Sequence, residues 1–125
     1  MAYVRYIVSD VQKAVDFYGN HLGFAVEGQW PAMAIMKRND LTLWLAGPKA
    51  SASWPMPDGR TPQPGGWNRF VVDTPDLVAL VDKLKAAGLA FRNEIESGPG
   101  GKQILLEDPF GNVVELFQPA LMPGR

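Results

Sequence analysis

Few side chains in this sequence can act as nucleophiles, metal ligands or acid–base groups, and their types bound its chemistry. Cysteine is absent and histidine occurs once, at His21. Disulfides, thiolate metal sites and cysteine nucleophiles are thereby excluded, as is a multi-histidine zinc site within one chain. His21 ends a helical pattern beside Leu22, which assigns it to the surface. What remains is carboxylates, arginines and aromatics. Tyr3, on a strand pattern, can donate a hydrogen bond, and Arg5, Arg69 and Glu115 on other strand positions can anchor a polar group. Three of the four tryptophans, Trp30, Trp54 and Trp67, lie at strand ends or in a turn-rich stretch, which suits a pocket rim. A planar ring losing about 100 Å² of apolar surface between such side chains gains roughly 2.5 kcal/mol. The same residues would equally serve a hydrophobic core or a dimer interface.

The totals narrow the classes further. Hydrophobic residues make up 46% and charged residues 20%, the balance of a soluble globular protein, and no apolar run approaches the roughly 18 residues of a membrane span. A net charge of -1 without basic clusters gives no footprint for a phosphate backbone, so neither nucleic acid nor membrane is an expected partner. The first residues run straight into an amphipathic pattern without the succession of a signal peptide, and the expected location is the cytoplasm.

The elements that must position these residues occur twice. In the first copy a strand over Tyr3–Val8 leads to a helix opened by a capping box of Ser9 and Gln12. Val11, Ala14, Val15, Tyr18 and Leu22 form its apolar stripe and Gly23 stops it. Strands follow near Phe24–Glu27, Ala32–Lys37 and Leu41–Leu45, the last reached through an Asn39-Asp40 turn. In the second copy a strand over Asn68–Val72 precedes a helix with Thr74 as N-cap, Pro75 at its first position and Gly88 at its end. Strands near Ala90–Ile95, Gln103–Glu107 and Asn112–Phe117 complete it. The glycine run at 98–101 lies between strand patterns and lacks the lysine-serine ending of a phosphate loop, so it reads as a hairpin. The expected organisation is a single domain over 1–125. It comprises a first βαβββ module over 1–46, a Pro/Gly-rich linker over 47–66 with five prolines and four glycines, a second module over 67–119 and a tail over 120–125. The linker is too turn-rich for a regular element and is a candidate lid.

The stretches VRYIVSDVQKAVDFYGNHLGF and ILLEDPFGNVVELFQP resemble the two hallmark segments of the glyoxalase, bleomycin-resistance and extradiol dioxygenase superfamily, also called the vicinal oxygen chelate fold. The order and spacing of Asp10, Phe17-Tyr18, Leu22-Gly23-Phe24 and Asp108-Pro109-x-Gly111-Asn112-x-x-Glu115 carry the likeness, which spans nearly the whole chain. The resemblance implies an α+β fold in which two tandem βαβββ modules form a curved mixed sheet, a cup, with helices on the convex face. It also implies a homodimer. Strand alternation fits this layout: Val4, Tyr6, Val8, Phe70 and Val72 would meet the helices, whereas Tyr3, Arg5, Ile7, Arg69, Val71, Val113, Glu115 and Phe117 would face the concave side. Trp44 would turn to the helix side.

Metal-dependent members of that superfamily draw ligands, typically histidine and glutamate, from the first and last strand of each module. In this sequence those positions read Tyr3 and Leu43 in the first module and Arg69 and Glu115 in the second. One carboxylate cannot hold a transition metal, and Arg69 would put a fixed positive charge where the ion would sit. If their strands are neighbours, Arg69 and Glu115 would pair, either as a polar anchor for a ligand or as a structural ion pair. The expectation is therefore no cofactor and no metal. The corresponding function is a binding protein of the antibiotic-resistance type that sequesters an aromatic or amphipathic small molecule, with Tyr3, Arg5, Trp30, Leu43, Trp54, Trp67, Arg69, Glu115 and Phe117 in contact with it. The alternative is a glyoxalase-like lyase or isomerase, or a dioxygenase. Its metal site would be degenerate or completed in the dimer, with Glu115 and Tyr3 as acid and base. A third reading is a structural or regulatory dimer whose cup is filled by its own side chains.

Overall fold

The computed structural model describes residues 2–120; Met1 and all but the first residue of the tail expected over 120–125 lie outside the described residues. The chain divides into two compact units, Met1–Gly65 with Pro109–Gly111 and Gly66–Asp108 with Asn112–Arg125.

In the first unit, β1 (Ala2–Ile7), α1 (Val11–Leu22), β2 (Ala25–Gln29), β3 (Met33–Arg38) and β4 (Leu41–Ala46) follow in the expected order. The sheet runs β1-β4-β3-β2, with β1 parallel to β4 and the remaining pairs antiparallel. The turn at Asn39-Asp40 places Asn39 at φ 54, a left-handed conformation that asparagine tolerates. Helix α1 packs on β2, β3 and β4, burying Val11, Ala14, Val15, Phe17, Tyr18 and Leu22. Beneath it Met36, Leu43 and Leu45 are fully buried, each contributing about 2 kcal/mol.

In the second unit, β5 (Arg69–Asp73), α2 (Leu77–Ala86), β6 (Ala90–Phe91), β7 (Glu96–Gly98), β8 (Gly101–Glu107) and β9 (Val113–Pro119) build a sheet in the order β5-β9-β8-β6, with β7 also on β8. Here too the first and last strands are parallel neighbours. Pro99-Gly100 closes the β7–β8 hairpin, with Gly98 opposite Gly101. A Cβ at Gly101 would collide with the Gln118 carbonyl oxygen, so this glycine allows the close approach of β8 to β9.

Three local expectations are corrected. The helices are capped by Asp10 and Asp76, not by Ser9 and Thr74: Asp10 Oδ1 accepts from Lys13 N at 3.0 Å and Asp76 Oδ1 from Ala79 N at 3.1 Å. An aspartate also complements the positive helix end, and such caps are worth about 1 kcal/mol. The strand expected over Ala90–Ile95 is confined to Ala90–Phe91, and a separate short strand begins only at Glu96. Asn93 Oδ1 accepts from Leu105 N at 2.9 Å, replacing a backbone carbonyl, and the ladder lapses there.

The third correction concerns register. In β4, Leu43 pairs with Val4 and is 0% exposed, whereas Trp44 pairs with Arg5. Leu43 thus lies under α1 and Trp44 on the face away from it, the reverse of the expectation. A one-residue slip exchanges the faces of a strand. Residues 47–65 belong to the first unit, with a short 3-10 turn over Ser51–Ser53, and Pro48, Pro55, Pro62 and Pro64 line a cavity of about 340 Å³ with Ile7 and Val8. Among the described residues no helix is long and apolar enough to cross a membrane.

Candidate functional site

Each sheet is covered by its helix on one face, and the uncovered faces carry the residues with chemistry. In the first unit, Tyr3 pairs with Thr42, Arg5 with Trp44 and Ile7 with Ala46, and β3 adds Lys37, Ile35 and Met33 in the same rows. The Tyr3 and Trp44 rings meet edge to face, with centroids 5.5 Å apart and an interplanar angle of 63°. The Arg5 guanidinium lies over the Trp44 ring, 4.8 Å from its centroid. Arg5 makes no ion pair or hydrogen bond among the described residues. Trp44 Nε1 is buried there with no acceptor.

In the second unit, the rows are Arg69, Val113, Glu107, then Val71, Glu115, Leu105, then Asp73, Phe117, Gln103. Two ion pairs lie on this face. Arg69 Nε donates to Glu115 Oε1 at 3.0 Å and Arg69 Nη1 to the Trp67 carbonyl at 3.4 Å. The side chains are 32% and 12% exposed. Arg92 Nε donates to Glu107 Oε2 at 2.8 Å, Arg92 Nη1 donates to the Gly66 carbonyl at 2.7 Å, and the guanidinium stacks 4.5 Å from the Trp67 ring.

The expected site residues therefore divide. Tyr3 and Arg5 share the uncovered face of the first sheet, and Arg69, Glu115 and Phe117 share that of the second. Trp67 reaches the latter group through its carbonyl and through Arg92, its ring still 68% exposed. Leu43 is excluded, since it is fully buried beneath α1. Trp30 is exposed and folds back over the bulge at Gly28, where an added Cβ would come within 2.5 Å of its ring. Trp54 is exposed in the 47–66 segment and makes no ring contact among the described residues. His21 is partly buried, its ring 5.7 Å from that of Phe17. Sequence reasoning missed Trp44, Arg92 and Glu107. Arg92 and Glu107 could have been sought as a cross-strand pair of opposite charge; Trp44 was lost with the register of β4.

The fold is thus two βαβββ units, each with parallel first and last strands. A family model described as "Glyoxalase/Bleomycin resistance protein/Dioxygenase superfamily" matches residues 1–116, and the chain belongs to that superfamily. A superfamily member from Sphaerobacter thermophilus is 30% identical, with a TM-score of 0.71 over 94% of this chain and 95% of that one. TnmS3, an antibiotic binding protein from Streptomyces sp. CB03234, is 29% identical, with a TM-score of 0.72 over 94% and 93%. A lactoylglutathione lyase of Pseudomonas putida is 24% identical over 140 residues, covering 90% of this chain and 80% of that enzyme.

The superfamily includes metal-dependent members, so the residues present must be tested against an ion. With β4 in its observed register the four strand positions are Tyr3, Trp44, Arg69 and Glu115. Only Glu115 offers a usual ligand, and its Oε1 already accepts from Arg69. No group of three His, Cys, Asp or Glu side chains among the described residues could hold an ion. These residues do not fit a metal centre, because a transition metal needs several donors in fixed geometry and no adjacent guanidinium.

Proposed function

We propose that this protein binds an aromatic or amphipathic small molecule on the uncovered sheet faces and sequesters it without a metal and without turnover. The observation that carries this reading is the Arg69–Glu115 ion pair, which engages the one carboxylate among the four strand positions. Each face by itself offers groups that suit a planar guest: Tyr3, Trp44 and Arg5 on the first sheet, and Trp67 and Arg92 on the second. The likeness to TnmS3 agrees with a binding role of the antibiotic-resistance type. The reading includes a homodimer working in the cytoplasm.

Titration of tryptophan fluorescence with polycyclic aromatic antibiotics, flavins and glutathione thioesters tests it. At least one aromatic probe is expected to quench saturably, with a Kd of about 10 μM or tighter, and to be recovered unchanged. Conversion of a bound probe to product would contradict the reading. It would favour a second reading, a lyase, isomerase or dioxygenase using Glu115, for which the Pseudomonas putida enzyme is the supporting observation. Absence of quenching by every probe would favour a structural dimer.

A further inference from the structure

We infer that the first unit contains an anion-binding subsite, formed by Arg5, Lys49 and Ser51, that selects ligands carrying a carboxylate or phosphate beside their aromatic ring. The inference rests on the proposed binding function and names the ligand class. Its starting point is charge. The arginines on the second sheet's uncovered face, Arg69 and Arg92, are each paired with a glutamate. Arg5 and Lys49 have neither an ion pair nor a hydrogen bond among the described residues.

They nevertheless converge. Arg5, Lys49 and Ser51 line one cavity of about 230 Å³, whose other walls include Met33, Ala46 and Ala52. That volume is below the roughly 300 Å³ of a drug-sized pocket, so it holds one functional group and its nearest carbons rather than a whole polycyclic ligand. Two cations and a hydroxyl over an apolar floor supply directional donors for anionic oxygens and little to attract a neutral group.

The ring beneath Arg5 is that of Trp44, its centroid 4.8 Å from the guanidinium. The aromatic part of the same ligand would lie against Tyr3 and Trp44, which are contiguous with Arg5 on the sheet.

Calorimetric titration with 1-naphthoate, 1-naphthyl phosphate and neutral 1-naphthamide tests the subsite. One or both anions are expected to bind about tenfold more tightly than the amide. The better of the two identifies the group. In Lys49→Gln the anion preference should fall toward unity while affinity for the amide is retained; Lys49 is exposed, so its variant tests the subsite without burdening the fold. Equal affinity for all three probes in the unaltered protein would overturn the subsite and leave the binding function standing. Failure of all three to bind would overturn the subsite, while the binding function is decided separately by the fluorescence panel.

Discussion

The two units repeat one βαβββ plan and fill its equivalent positions with opposite chemistry. Where the first unit puts Tyr3 against Trp44, ring to ring, the second puts Arg69 against Glu115, charge to charge. One position further along, the first unit has Arg5 stacked on an indole without a carboxylate, whereas the second has Val71. A duplicated scaffold fixes where side chains stand, not what they do. The first face is left rich in rings and cations, and on the second both arginines are held by glutamates.

Several variants would break or sharpen this contrast, the largest effect coming from the residue that belongs to neither face. Leu43→Ala is expected to cost about 3 kcal/mol in urea unfolding, because it opens a cavity under α1. A cost near zero would return Leu43 to the uncovered face. Glu115→Gln should cost about 1 to 2 kcal/mol by leaving a partly buried guanidinium without its carboxylate, and added salt should shrink the difference. In the first unit a double-mutant cycle of Tyr3→Leu with Trp44→Leu should give a coupling of about 1 kcal/mol that salt leaves unchanged. Asp58→Asn, which removes an exposed pair with Arg60, should shift stability by less than about 0.5 kcal/mol.

Much of this was legible in the sequence for reasons that can be stated. The repeat, the stripe of the first helix and the Asn39-Asp40 and Gly98–Gly101 turns follow from periodicity and turn chemistry. The Arg69–Glu115 pairing follows once β5 and β9 are neighbours. Strand β9 could be phased because Glu115 breaks its apolar run. Strand β4, Leu41–Ala46, offers apolar side chains to both faces apart from Thr42. Alternation therefore had no polar marker to set its phase, and Leu43 was placed where Trp44 stands. The caps erred by one or two residues because Ser9, Asp10, Thr74 and Asp76 are all competent N-caps. Lys49 was invisible as a site residue, since its approach to Arg5 depends on how the 47–66 segment folds onto β1.

Elemental analysis of protein purified without chelators tests most directly whether the Arg69–Glu115 pair stands where relatives hold an ion. The expected result is transition metal far below one atom per chain, unchanged by Glu115→Gln. One equivalent of zinc, nickel, iron or manganese that disappears in Glu115→Gln would contradict it.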